Sequence, residues 1–125
     1  MRKQYHFRPS KNGLLAWDVH RLVELSQGLP IQSVPLSEID EVDEAYWFDI
    51  ENQKPTCRVL LEHMKLVQEV DPEFPIILDA DGRVMDGMHR IIRALLENQN
   101  HLKAVQFEVT PAPDHVGCDP KELPY

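Results

Sequence analysis

The spacing of apolar residues between positions 75 and 96 predicts a strand, a turn, a second strand and a helix. Residues 75–78 are a short apolar run of the kind that forms a buried strand, and residues 83–85 are expected to return as a second short strand. The Asp-Ala-Asp-Gly sequence at 79–82 separates them and is typical of a tight turn. The apolar spacing then changes to that of a helix, which we expect to begin at about Met88.

Four further segments have a recognisable period. Residues 14–25 and 56–70 carry apolar side chains at helical spacing, and Thr56 is suited to cap the second of these helices. Residues 31–36 predict an edge strand, because a proline interrupts them. Residues 104–110 alternate strictly, as in a strand with one face on the core. The apolar stripe expected for the second helix is Leu60, Met64 and Val67, and the core face expected for the last strand is Val105, Phe107 and Val109.

The two ends of the chain lack such a period. The polar residues 1–13 predict a loosely held arm, and the proline-rich residues 111–125 predict an extended tail without an element of its own. With a length of 125 residues, we expect residues 1–125 to form one α+β domain, with a mixed β-sheet packed against helices.

Charge and composition narrow the class of protein. The net charge of −8 argues against a nucleic-acid surface, which needs a basic face. No apolar segment has the length of a membrane span or a signal peptide, and two cysteines do not make a disulfide framework. The sequence therefore predicts a cytoplasmic protein. The charge does not exclude a small anionic molecule as the partner, and a protein partner is left open.

The turn before the predicted third helix has the chemistry of an anion site. Gly87 has no Cβ, so another group can approach the backbone closely. The amides of Met88, His89 and Arg90 fall in the first helical turn, where no helical carbonyl accepts their hydrogen bonds. We interpret residues 87–90 as a phosphate cradle. The alternative is an ordinary strand–helix junction in which Asp86 is the N-cap and the basic residues are solvated.

The sequence DGMHRIIRAL at 86–95, preceded by PIILDADGRVM at 75–85, resembles the signature of the ParB/sulfiredoxin-like superfamily. The resemblance extends to VPLSEI at 34–39, to the helix from Thr56 and to the strand around Phe107. It implies that the chain binds a nucleotide (ATP, ADP or CTP, with Mg²⁺) whose phosphates lie at the Asp-Gly-x-His-Arg turn.

The resemblance also implies site residues. Polar residues on the helix after Thr56 contact the nucleotide in sulfiredoxins, and His63 is a further candidate there. The implied nucleotide-binding set is Thr56, Arg58, Gly87, Met88, His89 and Arg90, and Asp86 would help to place Mg²⁺. The implied catalytic set is Glu41, Asp86 and His89. Glu41, with Glu44 as the second choice, matches the early glutamate of the superfamily's free-serine kinases; its alternative is a solvated acidic loop.

One departure from the family pattern lies at the position of the reactive cysteine of sulfiredoxins. Sulfiredoxins carry their reactive cysteine immediately before the His-Arg pair, where this chain has Met88, and a thioether cannot form the attacking thiolate. Sulfiredoxin activity is therefore excluded. Two functions stay open: a small phosphotransferase or nucleotide hydrolase, and a non-catalytic nucleotide-sensing or protein-interaction module.

Three consecutive aromatic residues occupy positions 46–48. We interpret them as side chains that cover the edge of the core, and the alternative is that they stack on a nucleotide base.

Overall fold

Two β-sheets and three α-helices give the described chain an α+β architecture. The structure is a computed structural model that describes residues 3–48 and 54–125. The predicted α+β class is confirmed. None of the helices in these two ranges is both long and apolar enough to cross a membrane.

The larger sheet is mixed and has four strands in the order β3-β6-β4-β5. These are β3 (Gln32–Pro35), β4 (Ile76–Leu78), β5 (Val84–Asp86) and β6 (His101–Gln106). Strand β6 runs antiparallel to β3 and parallel to β4, and β4 pairs antiparallel with β5. The predicted edge position of β3 is confirmed.

The smaller sheet contains β1 (Tyr5–Arg8), β2 (Leu15–Asp18) and β7 (His115–Val116), with β2 in the centre. It corrects three predictions. The N-terminal arm contains a strand, and the C-terminal tail contributes a short one. The first half of the predicted helix 14–25 is strand β2, because pairing with β1 and β7 outweighs its local apolar spacing.

The helices are α1 (Val19–Ser26), α2 (Cys57–Glu69) and α3 (Met88–Leu96). Asp18 caps α1 and Thr56 caps α2, so both of those N-termini have a side-chain acceptor. Short 3₁₀ turns occur at Leu36–Glu38, Asp40–Asp43 and Pro120–Glu122.

The core has two parts, one under α3 and one around Trp17 and Met85. Two predicted core faces are wrong in part. On α2 only Val67 is buried, whereas Met64 is 60% exposed, because α2 packs on α3 by a narrow face. Strand β6 ends at Gln106, and beyond it Val109 is 82% exposed.

Candidate functional site

A cleft of about 780 Å³ opens where the two sheets meet. Its walls are β1, four side chains between residues 41 and 47, and the turn that joins β5 to α3. Pro120, Lys121 and Tyr125 close one side. The cleft brings together five of the residues predicted for the site: Glu41, Asp86, Gly87, Met88 and His89.

The N-terminus of α3 is open to this cleft. Gly87 is its N-cap and has a φ of 114°, and it offers no capping side chain. The first helical bond joins the Ile91 amide to the Gly87 carbonyl at 3.1 Å. The amides of Met88, His89 and Arg90 therefore have no acceptor within the described ranges. They point the positive end of the helix dipole at the cleft.

Close packing explains why this position is a glycine. A Cβ built on Gly87 would lie 2.5 Å from Cγ2 of Ile76, a fully buried residue of β4. Contact between the turn and β4 therefore fixes the start of α3, and the glycine's φ lies in the left-handed region that other residues avoid.

Arg90 lies outside the lining of the cleft. Its Nη2 donates to Oδ2 of Asp86 at 2.8 Å, and its Nη1 donates to the Phe74 carbonyl at 3.4 Å. The Arg90 side chain therefore does not line the cleft, and its guanidinium neutralises Asp86, which does.

Thr56 and Arg58 also lie outside the lining of the cleft, and both are exposed. The Thr56 hydroxyl accepts a hydrogen bond from the Val59 amide at 3.2 Å, which is the role of an N-cap. The structure therefore does not bring these two residues to the other predicted site residues.

His89 is held in a stack of three rings. Its Nε2 lies 2.9 Å from Nδ1 of His63 on α2. The Trp47 ring stacks on both imidazoles, with centroid distances of 4.1 Å to His63 and 4.7 Å to His89. Burial, and then the charges of His63 and Arg90, lower the pKa of His89 to about 4, so this imidazole is neutral at pH 7.

Glu41 is 3% exposed and accepts a hydrogen bond from the Val84 amide through Oε2. Tyr46 donates from its hydroxyl to the Val84 carbonyl at 3.4 Å. These two side chains thus occupy the open edge of β5, and Glu41 is not the solvated acid that the alternative interpretation expected. Glu44, the second choice, is exposed and pairs with Arg83 at 2.8 Å.

A buried polar network on the β1 side of the cleft was missed from the sequence. Arg8 donates from Nη1 to Oδ2 of Asp79 at 2.6 Å and from Nε to Nε2 of His6 at 2.9 Å. The Arg8 Nη2 atom is buried and has no partner in the described parts of the chain. Because Arg8 and Asp79 are 71 positions apart, no local pattern could reveal the pair.

Electrostatics keep this network in one protonation state. Burial, and then the charge of Arg8, lower the pKa of His6 to about 3, so His6 is neutral and accepts from Arg8. Burial raises the pKa of Asp79, but hydrogen bonds from Arg8 and from the Arg83 and Asp81 amides outweigh it and hold that pKa below its usual value. Burial also raises the pKa of Tyr46, which stays a neutral phenol.

The charged side chains of the lining balance in number. The cations are Arg8, Arg83 and Lys121, and the carboxylates are Glu41, Glu44 and Asp86. Both arginines have a carboxylate partner, whereas the Lys121 ammonium has none among residues 3–48 and 54–125. Lys121 is thus available to an added anion.

In the same described ranges, no group of three or more His, Cys, Asp or Glu side chains is arranged to hold a metal ion. No protein-family model matches the chain, and no curated protein or solved structure matches it either.

Proposed function

We propose that this chain is a nucleotide-binding domain of the ParB/sulfiredoxin-like kind, with the phosphates of ATP, ADP or CTP held at the start of α3. The observation that carries the proposal is the uncapped N-terminus of α3, which opens on the cleft of about 780 Å³. Three adjacent amide donors and about half a positive charge suit an anion in that position.

The rest of the cleft supports the same class of ligand. Its volume of about 780 Å³ lies within the range of small-molecule sites. Lys121 supplies a cation that has no carboxylate partner among the residues that the structure describes, and the Trp47 and Tyr46 rings give an apolar wall on which a base could rest. The net charge of −8 does not oppose this ligand, because charges farther away than about 8 Å are screened at physiological salt.

A carboxylate beside phosphates is repulsive unless a cation lies between or behind them. Asp86 already has such a cation, because the Arg90 guanidinium lies 2.8 Å from its Oδ2. Magnesium would then arrive with the nucleotide, held mainly by phosphate oxygens and by one carboxylate of the protein. Asp86 is the residue that could supply that ligand.

The Asp86–Arg90 pair also favours a second candidate function, a non-catalytic nucleotide sensor. A site that neutralises its own carboxylate binds phosphate without a metal. In a phosphotransferase or hydrolase, Glu41 and His89 would instead orient the acceptor group or the attacking water, and turnover would need Mg²⁺. Metal-dependent turnover therefore separates the two candidates.

Isothermal calorimetry with ATP, ADP, CTP and GTP, each with and without Mg²⁺, tests the proposal. We expect one saturable site for at least one nucleotide, and about two- to fivefold weaker binding in Lys121→Ala, the scale of one charged contact at an exposed site. Lys65→Ala, on an exposed part of α2 away from the cleft, is the matched control. Absence of binding for all four nucleotides would contradict the proposal. An equal loss of affinity in Lys121→Ala and Lys65→Ala would show that the phosphates do not bind in this cleft.

A further inference from the structure

His63 does not line the cleft, but it contacts a residue that does. It lies behind His89, and its Nδ1 is 2.9 Å from Nε2 of His89. Both imidazoles stack on the Trp47 indole, and the two planes are tilted by only 21° from each other. This geometry fixes one imidazole against the other, because at 2.9 Å one nitrogen must donate and the other must accept.

A pair of this kind has room for one additional proton and not for two. With one proton added, the pair keeps its N–H···N bond. With two, both facing nitrogens would be donors and two positive charges would lie in contact. The pair therefore responds to its surroundings as one unit with a single charge to gain.

Two charged groups and one uncharged ring face the pair. On α2, Glu62 favours its protonation, and on α3 the Arg90 guanidinium opposes it. The third neighbour is the Trp47 ring, which carries no charge. Burial is the larger opposing influence on both imidazoles, and it keeps the pair neutral while the cleft holds no anion.

We propose that His63 and His89 act as one acid–base unit that takes up a proton when a phosphate group occupies the start of α3. The inference rests on the proposed function, since it needs an anion at the Met88–Arg90 amides. A phosphate beside His89 favours the imidazolium form, and by linkage the same proton strengthens phosphate binding. His63 is a positioning residue here: it acts through His89 and needs no contact with the nucleotide.

Calorimetric titration with ADP, in two buffers of different ionisation enthalpy, measures the proton uptake directly. At pH 5.5 we expect roughly half a proton per site in excess of the nucleotide's own uptake, and an affinity about twofold higher than at pH 7, for a linked rise of the His89 pKa from about 4 to about 5.5. At pH 8, where the pair is neutral in both states, we expect no uptake.

Three variants separate the pair from other histidines. His63→Phe keeps a ring on Trp47, and we expect it to bind normally at pH 8 but to lose at least half of the excess uptake at pH 5.5. His63→Gln, a polar substitute, is expected to show the same loss. His101→Phe, on an exposed part of β6, is the control with unchanged uptake.

The outcomes distinguish the two proposals. Normal ADP binding with no excess uptake in the wild type, or with full uptake in His63→Phe, would overturn the inference and leave the proposed function standing. Absence of binding at every pH by ADP, and by ATP, CTP and GTP in the same titrations, would overturn both.

Discussion

Substituting Gly87 by alanine is expected to destabilise the domain strongly, because two independent effects act at this position. The residue has a φ of 114°, which L-residues rarely adopt. The added Cβ would also lie 2.5 Å from Cγ2 and 2.9 Å from Cβ of Ile76. Ile76 is fully buried between β6 and β5, so it cannot move away freely.

The two effects have known scales. A left-handed conformation costs a residue with a Cβ about 1–2 kcal/mol. Overpacking a buried contact by one methyl group adds about 1–3 kcal/mol. For Gly87→Ala we therefore expect the free energy of unfolding to fall by roughly 2–5 kcal/mol, a large part of the 5–15 kcal/mol typical of a domain.

Gly28→Ala is the matched control. Gly28 also has a positive φ, of 87°, but nothing lies within 4 Å of its built Cβ. Gly28→Ala should therefore lower the free energy of unfolding only by the cost of the left-handed conformation. Both substitutions restrict the unfolded chain equally, so this effect does not distinguish them.

Urea denaturation, followed by circular dichroism, gives both free energies of unfolding. If the two variants lost the same free energy within about 0.5 kcal/mol, contact with Ile76 could not be the reason for a glycine at the start of α3.

Two further predictions concern the buried network. The pKa of His6 is about 3 in the folded protein and 6.5 in the unfolded chain, so the contribution of His6 to stability is complete above pH 6.5. The free energy of unfolding should then fall by about 1.4 kcal/mol per pH unit from pH 6.5 towards pH 3. Urea titrations at pH 4.5 and 7 should show a smaller fall in His6→Gln, and an equal fall in that variant would contradict the prediction. Asp79→Asn leaves the guanidinium of Arg8 without its carboxylate and should lower the free energy of unfolding by about 3–5 kcal/mol, whereas the exposed Asp81→Asn should be near neutral. Similar urea midpoints for the two variants would show that the Arg8–Asp79 pair contributes little to the stability of the fold.

The parts of the fold that follow from local sequence were predictable. The strand, turn, strand and helix between residues 76 and 96 have their own period and turn residues, and Thr56 is the N-cap that its position before α2 predicted. The β1–β2 hairpin was not predictable. Residues 15–18 have no strand alternation, and only pairing with β1 and β7 makes them a strand.

The candidate site likewise contains residues that local sequence predicts and contacts that it does not predict. The turn residues Gly87, Met88 and His89 could be proposed from the sequence, because the requirement for an open helix start is local. The His63–His89 contact joins residues 26 positions apart on two helices, and it depends on how α2 packs on α3. The position of Arg90 had an available signal, since Asp86 is four residues earlier and opposite charges at that spacing attract.

Amide chemical shifts, measured by NMR during an ADP titration, test the central claim most directly. The amides of Met88, His89 and Arg90 should move together and saturate with one dissociation constant, because the bound phosphate would accept their hydrogen bonds. The amides of Arg58 and Val59, at the helix start that Thr56 already caps, should stay in place. Saturable ADP binding that left the three α3 amides unmoved would contradict the account.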